Sequence, residues 1–566
     1  MGFYLNNREP FSMYQEMVKN PYFVDKTAMI HEIIPRIGIT EKYICITRPR
    51  RFGKSVAASM LGAFFSKACD STEMFDRLEI SNFREYQEHI NQYNVIYIDF
   101  SAAGSFDSYK QYISEIEMAL KGDLKREYPN ISFRAKAPVF EDLKWINLET
   151  GDKFIFILDE WDMIFHKASV CQQERAEYLN FLRLLLKGRA YVALAYMTGI
   201  LPIASCLTPF VTQESDDSFV GASGESLPAV FPADAPYSSG SELNMFLEYT
   251  MASEKAFDDC FGFTEREVDN LFERYKRNGR GERITRQGLK EWYDGYHTCS
   301  GERMYNPRSV VAALTNDNLG NYWTGSGPYD EIYYYIRNNV GDVRESLALM
   351  VSGEAVPARI KEYAATSMRL ITRDEIFSAM VVYGFLSFEN GKVSIPNQEL
   401  MCKFEETLRK EETLGYVYRL AKESDRMLEA TLARNVEVME EILAYAHDTE
   451  TPLLDYNHET ELTAVVNLVY LSARDKYNIQ REDKAGIGYV DFIFYPKYDR
   501  KLDGIILELK VDSTPEEAIQ QIKDKQYGLR FKGKLGEGPL CSGRILAVGI
   551  GYGKRTKEHR CKVEVL

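Results

Sequence analysis

Two runs of residues in this 566-residue chain have the types and spacing to do chemistry. The first is Arg48-Pro49-Arg50-Arg51-Phe52-Gly53-Lys54-Ser55, which follows the apolar run Ile44-Cys45-Ile46-Thr47 and precedes a helix expected from Val56. It meets the pattern G-x-x-x-x-G-K-[ST] at its last three positions and misses the first, where Arg48 stands. Such a loop turns backbone amides and a helix N-terminus towards phosphate oxygens. Lys54 then reaches the terminal phosphates and the Ser55 hydroxyl ligates Mg2+, with Arg51 and Gly53 in the cradling loop. Further on, the apolar run Phe154-Ile155-Phe156-Ile157-Leu158 ends in Asp159 and Glu160. An Asp in that place holds Mg2+ through water, and a Glu beside it polarises the attacking water. Thr198 closes the next apolar run; it either contacts the terminal phosphate or the attacking water, or serves as a turn residue. The order of these pieces predicts binding of a nucleoside triphosphate. Hydrolysis stays open, because no arginine finger is identifiable.

The second run lies near the C-terminus. Gly488-Tyr489-Val490-Asp491 opens one expected strand and Ile506-Leu507-Glu508-Leu509-Lys510 ends another. Side chains alternate along a strand, so Glu508 and Lys510 face the same side, and an adjacent strand brings Asp491 to them. Two carboxylates and a lysine on one sheet face can bind Mg2+, or Mn2+ in its place, position a water and stabilise an anionic transition state. This is the D…E-x-K pattern of metal-dependent phosphodiester hydrolysis. A solvated strand end with a surface salt bridge would carry the same residue types. Against that, Leu507 and Leu509 alternate with the polar pair, and a following helix carries Gln521 and Lys525 on one face at i, i+4.

These groups need elements to hold them. The first 200 residues alternate β-type runs with amphipathic stretches, the pattern of a parallel sheet covered by helices; strands are expected at Tyr43-Thr47, Val95-Phe100, Phe154-Leu158 and Tyr191-Met197. Residues 206–240 are rich in Ser, Pro, Ala and Gly, and no Lys or Arg occurs between Arg189 and Lys255, so a flexible surface insertion is expected there. Helical patterns dominate from Ser253 to Glu412, broken by Trp292-Tyr293-Asp294-Gly295-Tyr296, whose aromatics read as packing residues. A capped helix near Thr372 and a hairpin from Tyr383 to Pro396 read as winged-helix-like. The last unit reads helix (Glu459-Tyr477), strand (Tyr489-Tyr495), strand (Gly504-Lys510), helix (Pro515-Tyr527), strand (Arg544-Ile550). The fold class is therefore α/β, divided at 1–250, 251–446 and 451–566.

Composition narrows the class of function. Hydrophobic residues at 45% and charged residues at 27% belong to a folded chain and exclude a disordered or collagen-like one. The net charge of −15 argues against a surface basic all round, but residues 451–566 carry 19 Lys+Arg against 17 Asp+Glu, so the C-terminal fifth is electrostatically unlike the rest. A phosphate-backbone partner favours such a region. Nine cysteines without a C-x-x-C pair fit a reducing compartment, and seven histidines without paired spacing suggest no zinc site. The N-terminus has no apolar signal region, and the uncharged run from Ala190 to Leu207 is interrupted by Gly199 and Pro202, so a cytoplasmic protein with no membrane partner is expected.

With those residues in hand, the chain resembles the bacterial AAA-ATPase-like family that carries a C-terminal PD-(D/E)XK nuclease domain. The resemblance rests on Phe23-Val24-Asp25-Lys26-Thr27, Thr47-Arg48-Pro49-Arg50-Arg51-Phe52-Gly53-Lys54-Ser55, Leu158-Asp159-Glu160, Thr198-Gly199, Trp292 to Tyr296, Tyr305-Asn306-Pro307, Ile395-Pro396-Asn397 and the segment from Tyr456 to Tyr527. It implies a P-loop NTPase parallel sheet, a helical and winged-helix-like middle region and a restriction-endonuclease-like α/β end. In that family an arginine-rich loop replaces the usual first glycine, which accounts for Arg48. By position, Lys54 and Ser55 form the Walker A end, Asp159 and Glu160 the Walker B pair, and Asp491, Glu508 and Lys510 the nuclease core with Gln521. Glu459 falls where such nucleases place a first-helix acid that joins the metal ligands. The non-basic 206–240 stretch departs from the family, which has a short basic segment there. The expected function is an ATP-binding, Mg2+-dependent nuclease, gated by nucleotide, with DNA as partner and a homo-oligomer compatible with the parts. The alternative is an NTP-switched nucleic-acid-binding or signalling protein whose nuclease-like domain does not cut.

Overall fold

The computed structural model describes residues 2–101, 108–134, 137–166, 170–203, 243–251, 254–277, 283–323, 336, 343–360, 370, 372–410, 412, 416–445, 459–485, 488–497, 499–532 and 540–566. The 206–240 stretch and most of the aromatic run at 332–336 lie outside these. The chain divides into two compact units. One comprises Met1–Trp323, Ile360–Leu370 and Phe377–Glu389; the other comprises Thr324–Arg359, Ile371–Ile376 and Asn390–Leu566.

The first unit is built on a five-stranded sheet. Its strands are β1 (Tyr43–Thr47), β2 (Asn94–Asp99), β3 (Phe154–Asp159), β4 (Val192–Gly199) and β5 (Leu247–Tyr249), in the order β2-β3-β4-β1-β5, every neighbouring pair parallel. Strands β1, β3 and β4 are buried along their whole length, as their unbroken apolar sequences require when helices cover both faces. Four of the strands fall within a residue or two of the sequence expectation; β5, three residues long at the sheet edge, was not foreseen. Helix α1 (Lys54–Phe65) leaves the C-terminal end of β1 and buries Leu61, Phe64 and Phe65 against Ile44, Ile46, Ile155 and Ile157. Beyond the sheet, α2 (Arg286–Tyr293) leads into the aromatic motif, where Tyr293 and Tyr296 are buried packing residues as expected. Helix α3 (Arg373–Tyr383) and the short strands Ser387–Glu389 and Lys392–Ser394 occupy the winged-helix-like stretch.

The second unit ends in a mixed five-stranded sheet. Helix α4 (Glu459–Val469) precedes β6 (Tyr477–Ala485), β7 (Gly488–Pro496) and β8 (Gly504–Val511); helix α5 (Pro515–Asp524) follows, then β9 (Ile545–Gly553) and β10 (Glu558–Val565). The strands lie in sequence order, β8 and β9 parallel and the other neighbours antiparallel. Two differences from the sequence reading stand out. The expected helix from Glu459 to Tyr477 is broken after Val469 and resumes only at Ala473–Lys476, and the strand that follows at Tyr477–Ala485 was not foreseen. Strand β10 was not anticipated at all. Both are the edge strands of the sheet, where charged residues are tolerated and the apolar alternation that betrays a strand is diluted. Among the described residues no helix is long and apolar enough to cross a membrane.

Candidate functional site

The two ends of the first constellation sit on strands that are not neighbours. Strand β4 lies between β1 and β3, so Thr198 on β4 falls between the loop after β1 and the acids after β3. The loop reaches α1 through Arg51 (φ 68°) and Gly53 (φ 94°), both in the left-handed region. Glycine occupies that region freely, whereas for an arginine it costs energy and marks a turn held by its surroundings. As N-cap of α1, Gly53 has no side chain to occupy the first amides, which leaves them available to an anion. The Lys54 ammonium, buried, donates to the carbonyls of Arg48 and Pro49, each at 2.9 Å. Burial lowers its pKa to about 8, against the pull of Asp162, Asp159 and Glu160.

Asp159 is the hub of the acid side. One oxygen accepts from the Thr198 hydroxyl at 3.0 Å and from the Glu160 amide at 3.1 Å, with the Ser55 hydroxyl nearby. Burial raises its pKa, helped by Asp99 on β2 and opposed by the Ser55 and Thr198 hydroxyls. Glu160, in a left-handed turn (φ 51°), is likewise raised by burial and by Asp159. A serine hydroxyl near a buried carboxylate, beside an open helix N-terminus and a lysine, makes a hard-oxygen donor set that fits Mg2+ with a polyphosphate.

Several residues that fix this geometry were not singled out from sequence. The Asp162 carboxylate accepts from the amides of Ile200 (2.9 Å) and Leu201 (2.8 Å) and pairs with His166 at 3.0 Å, clamping the acid turn to the end of β4. Gly199 permits the clamp: a Cβ there would lie 2.5 Å from Asp162 Oδ1 and 2.7 Å from the Trp161 ring. Arg48 is buried, and its guanidinium donates to the carbonyls of Thr47 (2.9 Å), Tyr249 (2.7 Å) and Phe257 (3.0 Å). It ties the base of the loop to the segment after β5. Arg51, expected at the phosphates, donates to the Tyr322 carbonyl. The Tyr383–Phe385 stretch meets both sides: Tyr383 approaches His166 at 3.4 Å, the Gly384 carbonyl accepts from Tyr296, and Gly384 (φ 85°) leaves room for Pro49. Most of these contacts join residues distant in the chain, which a single sequence cannot reveal.

The second constellation gathers on one face of the C-terminal sheet. The β7/β8 ladder runs from Phe494 opposite Ile505 to Phe492 opposite Leu507. At the next position the Asp491 carboxylate accepts from the Leu509 amide at 2.7 Å. Glu508 is buried, and its Oε1 accepts from Lys510 at 3.3 Å and from Gln521 on α5. Its other oxygen, Oε2, is buried without a hydrogen-bond partner. Burial, then the Asp491 charge, raise the Glu508 pKa to about 7 despite Lys510. A buried carboxylate oxygen without a donor, next to a second carboxylate, is satisfied by a hard cation, so the residues present fit Mg2+.

The chain between residues 11 and 206 matches the family described as a predicted AAA-ATPase, and residues 459–542 match the PD-(D/E)XK nuclease superfamily. This protein joins a predicted AAA-ATPase domain to a PD-(D/E)XK nuclease domain. Among solved structures, the chain is similar to the Walker-type ATPase of Pyrococcus abyssi at 12% identity, covering 67% of this chain and 94% of that one with a TM-score of 0.34. The ORC2 protein of Aeropyrum pernix, solved as ADPNP-ADP complexes, is similar at 10% identity over 71% of this chain and 94% of its own, TM-score 0.31. No curated protein matches the sequence.

Within the nuclease domain the structure brings together Asp491, Glu508, Lys510 and Gln521. Glu459 begins α4, but its side chain lies outside the described ones. Tyr527 is buried in the core below α5 with Ile519 and Ile522, which gives it a packing role, and Lys525 lies 6.0 Å from its ring. Gly549 and Gly551 on β9, opposite Glu508 and Lys510, were missed from sequence. A Cβ on Gly549 would come 2.3 Å from the Pro515 carbonyl and one on Gly551 2.8 Å from that of Ser513. Their bare backbone lets α5 settle on the sheet, which is how Gln521 reaches Glu508. The spacing Gly-Ile-Gly in an apolar run was the available signal.

Proposed function

We propose that this protein is an ATP-binding, Mg2+-dependent nuclease that hydrolyses phosphodiester bonds in DNA, with nucleotide state gating the cut. The observation that carries this reading is the buried, unpartnered Oε2 of Glu508 beside Asp491, Lys510 and Gln521. Asp491 and Glu508 hold the cation, and Lys510 donates to the phosphate as negative charge builds on it. Gln521 fixes the Glu508 carboxylate so that Oε2 faces the ligand. Bound Mg2+ supplies positive charge at the phosphate and lowers the pKa of a water. On the ATPase side, Lys54, Ser55 and the first α1 amides bind phosphate, Asp159 and Ser55 hold Mg2+, and Glu160 orients water. Thr198 reads the terminal phosphate through its bond to Asp159. The Tyr383–Phe385 stretch touches both the loop and the acid turn, so it is placed to respond to the nucleotide held there.

The test is cleavage of supercoiled, linear and single-stranded DNA with Mg2+ or Mn2+, with and without ATP. Wild type cuts, Glu508→Ala is inert and Lys54→Ala loses dependence on ATP. If no combination yields cutting above the Glu508→Ala background, the nuclease reading fails and a nucleotide-switched binding protein takes its place.

A further inference from the structure

The turn between β9 and β10 carries Lys554, Arg555 and Lys557 in four consecutive residues, all exposed. Strands β8 and β9 are parallel, with Lys510 opposite Gly551, so this turn projects from the sheet end that bears Glu508 and Lys510. Lys554 lies three positions after Gly551, so at ~3.3 Å per residue the basic tip begins roughly 10 Å beyond Lys510. That is about three nucleotides of a strand rising 3.4 Å each.

The tip is built rather than loose. The Asp512 amide donates to the Tyr552 carbonyl at 2.7 Å, and the Lys554 amide donates to the Asp512 carboxylate at 2.9 Å. The Lys557 amide closes the turn on the Gly553 carbonyl at 2.7 Å, with Lys557 at φ 56°.

Its charges are also largely uncommitted. Cations nearby are engaged: Lys523 pairs with Glu564, and Lys562 with Glu516 and Glu564. Glu558, the acid of the turn, faces Arg560, and Lys554 reaches Asp512 only at 3.9 Å. Among the described residues no carboxylate lies within ion-pair distance of Arg555 or Lys557.

We propose that the β9–β10 turn is the docking point for the phosphodiester backbone of the substrate, gripping phosphates beside the scissile one. The inference rests on the nuclease reading and adds the surface that positions the strand. A turn whose backbone is already set needs only its side chains ordered to meet a polyanion, and it contacts backbone alone, so it confers affinity without sequence preference.

The test uses the full chain in EDTA, which holds back hydrolysis. Anisotropy follows its binding to duplex DNA, single-stranded DNA and RNA of equal length as salt is raised. The tip variant is Lys554→Gln/Arg555→Gln/Lys557→Asn, with Asn chosen because it tolerates a positive φ. A control, Arg77→Gln/Lys276→Gln/Arg277→Gln, removes the same charge from exposed sites on the other unit. The tip variant should bind about tenfold or more weakly, with its salt slope on duplex DNA reduced by about 2 to 3, near 0.9 per phosphate contact. The control should bind like wild type.

Unchanged affinity and slope in the tip variant overturn the proposal, as does an equal loss in the control. Wild type that binds none of the three polymers overturns it too. Binding that depends on the tip, without cleavage in Mg2+ or Mn2+, leaves the docking surface standing and removes the nuclease reading alone. The three polymers rank DNA against RNA. If the triple variant fails to fold, Arg555→Gln alone should still lower the slope by about 0.9.

Discussion

Arg48 stands where a phosphate-binding loop usually begins with glycine, and its replacement tests whether the loop is held from below. Arg48→Met keeps an unbranched stem of similar length and removes the planar donor. Of the three carbonyls it serves, those of Tyr249 and Phe257 are distant in sequence; that of Phe257 loses this donor in a buried place and that of Tyr249 in a partly buried one, which keeps the cost towards the low end. Leaving a buried acceptor unsatisfied costs about 1–3 kcal/mol, so the pair amounts to roughly 2–6 kcal/mol. Relief of the buried charge works the other way. Burial lowers the Arg48 pKa to about 10, while Asp258 sustains the charge and would in turn lose its counter-ion. The net effect is therefore destabilising, towards the lower half of that range. At about 2 °C per kcal/mol for a unit of this size, calorimetry should record a fall of roughly 4–8 °C. Arg48→Lys retains the charge but offers a point donor in place of a fork, and should fall between the two. Nucleotide affinity should drop in the same order. A methionine variant melting within about 1 °C of wild type would refute the anchor, and a lysine variant equal to wild type would refute the geometric part of the argument.

Other perturbations follow the same logic. Burial alone would raise the Asp162 pKa, but the His166 ring and the amides of Leu201 and Ile200 hold it below the ordinary carboxylate range. A depressed folded pKa contributes stability above the unfolded value, near 3.9, that is lost as pH falls through the folded one. Asp162→Asn should thus melt below wild type at pH 7, with the gap closing below about pH 4; a gap independent of pH would sink the assignment. Without nucleotide, Mg2+ at about 100 times its Kd should stabilise wild type by about 2.7 kcal/mol and leave Glu508→Ala unmoved, as read by thermal shift. Gly549→Ala forces a Cβ against the Pro515 carbonyl and should cost about 1–3 kcal/mol while cutting nuclease rate. Full activity with unchanged melting in that variant would mean α5 does not need its close seat.

The sequence reading succeeded where burial imposes a pattern. Strands β1, β3 and β4 are covered on both faces, so their apolar runs were unmistakable, and the motifs at their C-terminal ends followed. It failed at three of the four sheet edges, and succeeded at the fourth, β2, whose strand is buried for all but its last residue. Strands β5, β6 and β10 are edges, paired on one side, and the charged run Arg481-Glu482-Asp483-Lys484 in β6 carries no alternation to recognise. The site residues divide the same way. The candidate residues Lys54, Asp159, Glu508 and Lys510 have types and spacings that announce them. Their supports do not: Asp162 acts on β4, Arg48 on the segment after β5, and Tyr383 on His166, each contact existing only in the folded chain. Arg51 shows the converse, a residue placed by motif whose side chain serves the Tyr322 carbonyl.

The glycine pair on β9 bears on how such a domain can be surveyed. Truncation to alanine, the usual way of mapping an active site, asks what is lost when atoms are taken away. Gly549 and Gly551 contribute by the atoms they lack, so that survey passes over them. Their neighbourhood would register only in the opposite experiment, a series of additions: alanine, then serine, then valine. Each step would lift α5 a little further, and Gln521 with it, from a carboxylate whose own residue is untouched. On the proposed reading, the domain thus carries a dial for the geometry of its candidate site at two positions that bear no functional group, open to graded attenuation where substitution at Glu508 would allow only on or off.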